Sequence, residues 1–265
     1  MNNATDRAQQ LKGLEQAIED LQRLPQALED LVYRDELTSL LNRTAMWSLV
    51  VPRLAPDKPI SVLYVEIDGF KNINSRHGHQ AADSILGGVG TLIGAAVDST
   101  SGLGLSVFEA FHLSGDEFVI VGSGADVKVH ANTVASRVKA DIEVQPIDVE
   151  NSKTREPNAE VKVTVSAAFG NSPGEFKAVL DRADSLCECA KILALNRPEM
   201  PDVVTEEFEP DTVEAIRAVL SDAPRRRFHC PACHANGYVN IPVNAPCGAN
   251  CGVVYRLREL LAAGR

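Results

Sequence analysis

Two adjacent carboxylates, Asp116 and Glu117, interrupt a stretch that otherwise reads as a buried strand, LSGDEFVIV over residues 113–121. Ser114-Gly115 is turn chemistry and the apolar residues on either side fit two short strands, so the pair belongs at a hairpin tip. A solvated polar turn is the plainer reading of such a pair. Upstream, however, the run ISVLYVEI over residues 60–67 also ends on acids, Glu66 and then Asp68. If the two strands are neighbours, Glu66 and Asp116 converge on one divalent cation. Mg²⁺ takes hard oxygen ligands from one or two carboxylates and the rest from water and substrate phosphates. A cation so held activates an attacking hydroxyl and stabilises charge at phosphorus, which is the chemistry of phosphoryl or nucleotidyl transfer. Lys71, Lys191 and Arg197 are candidate phosphate contacts, with solvated helix faces as the alternative.

A second group of chemistry-bearing residues lies near the C-terminus, where Cys230-x-x-Cys233 and Cys247-x-x-x-Cys251 are separated by thirteen residues. Tetrahedral thiolate ligation by four cysteines fits Zn²⁺, and a segment this short cannot bury enough core without a metal. A redox Cys-x-x-Cys is the competing reading. His229 and His234 are expected outside the ligand set. A closed four-cysteine site leaves no open coordination position, so its expected role is recognition of an unknown protein or nucleic acid. Residues 225–265 carry six arginines against one glutamate, although the whole chain has a net charge of −10. That overall charge argues against general nucleic-acid binding by the entire chain. Cys187 and Cys189 are expected to be free, small hydrophobes.

The elements that must position these groups follow from pattern. With 265 residues, 45% hydrophobic and 23% charged, the chain has room for one well-buried domain and a smaller one. No apolar run reaches the roughly 18 residues of a membrane span, and MNNATDRAQQ lacks an export signal, so a cytoplasmic protein is expected. Leu11, Leu14, Ile18, Leu21, Leu28 and Val32 form a heptad stripe interrupted by Pro25. It suits either a dimer zipper or an amphipathic helix packed on its own domain. Between 35 and 197, strand-like runs alternate with helix-like ones such as AADSILGGVGTLIGAAV and FKAVLDRADSLCECAKILAL. Such interleaving predicts an α+β or α/β sheet covered by helices. The expected units are an N-terminal helical segment (1–33), a catalytic domain (34–197), an acidic linker with a short helix at 211–220 (198–224), and the cysteine module with a C-terminal helix (225–265).

Five ordered blocks, RDELTSLLNR (34–43), EIDGFKNINSRHGHQAADSIL (66–86), SGDEF (114–118), VTVSAAFG (163–170) and ADSLCECAKILALNR (183–197), resemble GGDEF-domain diguanylate cyclases. The resemblance implies a palm-like α+β fold, with a central, mostly antiparallel sheet flanked by helices. It implies condensation of two GTP molecules into cyclic di-GMP in a homodimer, with Mg²⁺ or Mn²⁺ bound. On this resemblance Glu66, the backbone of Ile67, Asp116 and Glu117 sit at metal positions, with Asp116, Glu117 and Lys71 in catalytic roles. Asn74 and Asp83 match guanine-reading positions, and Gly69, Phe70, Gly115, Lys191 and Arg197 complete the GTP site. Several positions depart from the family pattern: Glu66 for Asp, Ser114 for Gly, His112 and Leu195 for Arg, Ala82 for Gly and Glu188 for Tyr. An inhibitory Arg-x-x-Asp site, due at residues 105–108, is absent. A domain that binds GTP or a protein without turnover is the alternative outcome, and nucleic-acid or protein binding directed by the zinc ribbon is a third.

Overall fold

The run at 60–67 is β-branched or aromatic at most positions and is buried on both faces, as a central strand must be. In the computed structural model, which describes residues 12, 28–101, 106–149, 158–196, 203–205, 225–229 and 236–240, it forms β2 (Ile60–Ile67). Both neighbours of β2 are antiparallel: β4 (Glu117–Ser123) and β7 (Val163–Gly170). Outside β4 lies β3 (Val107–Ser114), and the short edge strands β1 (Leu41–Asn42) and β8 (Val203–Thr205) run parallel to β3 and β7. The order β1-β3-β4-β2-β7-β8 is the expected mostly antiparallel sheet. β8 carries that sheet into the stretch read as linker.

Strand alternation sorts the core into two layers. Leu63, Val65 and Ile67 of β2 pack with Phe118 and Ile120 against α2 (His79–Ser101) and α3 (Val127–Val144). Val62, Tyr64 and Val119 face the other way, onto Phe176, Val179 and Leu186 of α4 (Phe176–Asn196) and onto Met46. By length and composition α2 is apolar enough to cross a membrane, but half of its apolar window is buried in this core. It is the central helix of the domain.

A preceding helix, α1 (Phe70–His77), is polar on its outer face and turns Phe70, Ile73 and His77 to the core. It breaks from α2 at Gly78, whose φ of +93° is open to glycine and strained for other residues. The turn at 35–40 sits hard against α2. A Cβ on Gly90 would lie 2.6 Å from the Thr38 Cβ, so the glycine permits this close approach.

Two short ribbons complete the described residues. β5 (Ile147–Asp148) pairs with β6 (Asn158–Ala159), and β9 (Arg225–His229) pairs antiparallel with β10 (Asn236–Asn240). The four cysteines at 230, 233, 247 and 251 lie outside the described residues, as do the heptad positions before Leu28 and the linker helix.

Candidate functional site

The hairpin tip is tighter than its sequence suggests. Ser114 and Glu117 still pair as strand residues, leaving only Gly115-Asp116 as the loop. Gly115 has φ +55°, which a two-residue turn demands and which favours glycine. A one-residue irregularity between His112 and Ser114 bends β3 into the turn. The Asp116 carbonyl accepts a hydrogen bond from Ile67 N at 3.2 Å, joining the tip to the end of β2.

The β2–β4 register places Glu66 directly opposite Glu117. Asp116 sits in the turn beside this pair, its carbonyl tied to the end of β2 through Ile67 N. Two carboxylates directly opposite on one sheet face repel each other, at a cost of order 0.2–1 kcal/mol, so the pair needs compensating positive charge. Lys191 of α4 provides some by ion-pairing with Glu66. Glu117 accepts from Ser114 Oγ at 3.2 Å, and Tyr64 is its diagonal neighbour across the β2–β4 pair. Burial, then the charges of Glu117 and Asp184, push the Tyr64 phenol far above its usual pKa, so it stays a donor.

Asp68 is tied back into the sheet. Its side chain accepts from Thr164 Oγ1 at 2.7 Å and its N–H donates to the Lys162 carbonyl at 2.9 Å. Thr164 is the β7 residue opposite Glu66, so three strands meet here. Gly69 follows at φ +65° and opens α1, its carbonyl accepting from Asn72 N at 2.8 Å. With no side chain, Gly69 leaves room for a phosphate to approach the backbone. Phe70 anchors α1 on the core. Lys71 is exposed and Asn74 half-buried on α1, while exposed Asp83 lies in the first turns of α2, across the Gly78 corner. Arg197 lies outside the described residues.

Among the described residues no three His, Cys, Asp or Glu side chains form a metal cluster by themselves. The donor set still fits Mg²⁺, which needs only one or two carboxylates and keeps waters and substrate oxygens for the rest. Glu66 and Glu117 offer those hard oxygens at one point.

His112 was read from sequence only as a missing arginine. In the fold it is buried, with Nδ1 3.0 Å from Asp35 Oδ2 and Nε2 2.9 Å from the Gly115 carbonyl. Both ring nitrogens face acceptors, an arrangement that is fully satisfied when both carry protons. The ring also packs on Phe118, centroids 4.8 Å apart. His112 therefore connects the turn at 35–40 to the hairpin tip. No spacing rule reveals this link, since its ends are 80 residues apart along the chain.

Burial alone would raise the Asp35 pKa, but hydrogen bonds from His112 and from the Thr38 N–H and hydroxyl outweigh it and hold it below 3.8. A carboxylate with a lowered folded-state pKa contributes stability that is complete above its unfolded value and is lost as pH falls through the folded one. Asp35→Asn is therefore expected to cost about 1–2 kcal/mol at pH 7, with the gap from the parent narrowing below about pH 3.8. Urea unfolding of both proteins at pH 7 and pH 3 measures it; an equal gap at both values would contradict the charge-based reading.

Comparison with known proteins agrees with this geometry. The family described as "Diguanylate cyclase, GGDEF domain" matches residues 32–197. The diguanylate cyclase DosC of Escherichia coli K12 is 27% identical over 209 residues, covering 76% of this chain and 43% of the relative. The chain thus spans less than half the length of that relative. An uncharacterized signaling protein of Caulobacter vibrioides is 31% identical over 130 residues, covering 46% of this chain and 15% of that protein. Among solved structures, the coiled coil and GGDEF domain of DgcB from Caulobacter crescentus, in complex with c-di-GMP, superposes with a TM-score of 0.56. It is 22% identical and covers 75% of this chain and 97% of that one. The GGDEF domain of FimX from Pseudomonas aeruginosa gives a TM-score of 0.52 at 16% identity, covering 65% and 98% of the two chains. These structural likenesses concern the fold. The family match spans most of the chain and includes every strand of the site, and through it this protein belongs to the diguanylate cyclase GGDEF-domain family.

Proposed function

We propose that this chain condenses two GTP molecules into cyclic di-GMP, each 3′-hydroxyl attacking the other nucleotide's α-phosphate with release of two pyrophosphates. The observation that carries this reading is the pairing of Glu66 with Glu117 at the end of β2, with Asp116 bonded beside them through Ile67. Two distant sequence blocks thereby present hard oxygens at one place. Glu66, Asp116 and Glu117 would hold Mg²⁺ or Mn²⁺, with the Ile67 carbonyl as a backbone ligand. When bound, the metal supplies Lewis-acid stabilisation at phosphorus and a more acidic attacking hydroxyl.

The chain's own groups do the rest. Asn74 and Asp83 read the guanine, the Asp83 carboxylate accepting from its N1–H and N2–H₂ edge. Lys71 and Lys191 neutralise phosphate charge, Lys191 exchanging its contact with Glu66 for the nucleotide. Arg197 adds a further phosphate contact. One domain holds one GTP, so two copies must face each other, and the N-terminal heptads are suited to bring them together. At the other end, Cys230, Cys233, Cys247 and Cys251 would bind Zn²⁺ in a module that recognises a protein or nucleic acid partner. The locale is the cytoplasm, where GTP is available.

Ser114 and Leu195, at positions where the family carries glycine and arginine, favour a second reading in which the domain binds GTP or a protein without turnover. Incubation of the full chain with GTP and Mg²⁺ followed by nucleotide analysis separates the two. Cyclic di-GMP with pyrophosphate is the expected outcome; GTP recovered intact would leave only the binding role.

A further inference from the structure

Glu117 stands opposite Glu66, and two hydroxyl-bearing residues on different strands, Ser114 and Tyr64, are its neighbours. Ser114 Oγ donates to Glu117 Oε2 at 3.2 Å across the hairpin end. Tyr64 lies two residues before Glu66 on β2, opposite Val119, so Glu117 is its diagonal neighbour on the same face. A long side chain reaches such a diagonal partner, which puts the Tyr64 hydroxyl in range of the Glu117 carboxylate. Its ring is 5% exposed and packed among Phe176, Leu186 and Ala190, so the hydroxyl is held by the core. Ser114, by contrast, is exposed at the last position of β3.

We propose that Tyr64 and Ser114 are positioning residues for Glu117, two neutral donors that fix its carboxylate toward the cation position. The inference rests on the Mg²⁺-dependent reading above and gives it a specific consequence. Serine at 114 is then a working part of this site. A free glutamate side chain spends much of its time in other rotamers, and each hydroxyl narrows that choice before metal and nucleotide arrive. Both donors leave part of the carboxylate's acceptor capacity for the metal, since an ionised carboxylate has about four lone-pair sites.

Ser114→Gly restores the family signature and is the discriminating variant. It is expected to raise the Mn²⁺ dissociation constant by about 3- to 10-fold, the order set by losing one ordinary, solvent-exposed hydrogen bond. The probe is Mn²⁺ itself, followed by electron paramagnetic resonance on the full chain with 3′-deoxy-GTP, which has no attacking hydroxyl and cannot turn over. Tyr64→Phe keeps the ring in the core and is expected to weaken Mn²⁺ to a similar degree, while Ser114→Thr keeps the hydroxyl and stays near the parent. In turnover assays the losses should fall on kcat, with KM for GTP changed less than about two-fold. A Ser114→Gly protein that binds Mn²⁺ as tightly as the parent, or more tightly, overturns the proposal. If the variants weaken Mn²⁺ but the parent makes no cyclic di-GMP, positioning stands and the cyclase reading alone fails.

Discussion

Glu117→Gln is expected to lower cyclic di-GMP formation by about 10³-fold or more while leaving the fold intact, because charge stabilisation at a reacting phosphorus is usually the largest single catalytic contribution. The amide is nearly isosteric and its oxygen still accepts from Ser114, so packing is undisturbed. What is lost is one of the two negative charges that face each other across β2 and β4. Like charges directly opposite on a sheet destabilise it, so the same substitution should hold or raise the thermal midpoint. Lost activity with retained or increased stability is the pattern of a group kept for function at some cost to the fold. Product quantification and a thermal melt on the same preparation check both halves. Turnover within about ten-fold of the parent would remove Glu117 from the chemistry.

Phe118→Ala should produce the largest loss of stability next to the site. Phe118 is fully buried in the layer between the sheet and α2 and α3, and its ring packs on His112. Deleting such a ring costs about 3–5 kcal/mol through lost burial and the cavity left behind. Natural domains hold only about 5–15 kcal/mol in all, so this one change consumes a large share. It also removes the surface against which His112 holds the Gly115 carbonyl, and the tip should loosen with it. Urea unfolding of the variant, with exposed Val129→Ala as a control expected within about 0.5 kcal/mol of the parent, measures the difference. A cost below about 1.5 kcal/mol would mean that the neighbouring side chains close the cavity.

Much of the sheet was legible because its strands are long, apolar and bounded by turn residues. The run at 60–67 coincides with β2, and the strand-like run VKVTVSAAFG at 161–170 contains β7. Register was not legible, since it depends on where the hairpin closes. The tip at 115–116 puts Glu117, not Asp116, opposite Glu66. α1 is hard to see in FKNINSRH because its apolar stripe is only Phe70 and Ile73 within eight residues. The roles of Tyr64 and His112 were hidden for a different reason. Tyr64 reads as one more strand hydrophobe until the register sets it beside Glu117. His112 reads as a lost charge until the fold brings Asp35 and Gly115 to its two nitrogens. The residues proposed to face GTP come from the resemblance, and composition alone would not have singled out Asn74 or Asp83.

The most direct measurement is the initial rate of cyclic di-GMP formation from GTP and Mg²⁺ by the full chain, followed over a wide range of protein concentrations. Two facing half-sites require a specific activity that rises with concentration and levels off once the chain is dimeric by light scattering. No cyclic di-GMP at concentrations where the dimer is fully formed would contradict the assignment of Glu66, Asp116 and Glu117 as a working cyclase site.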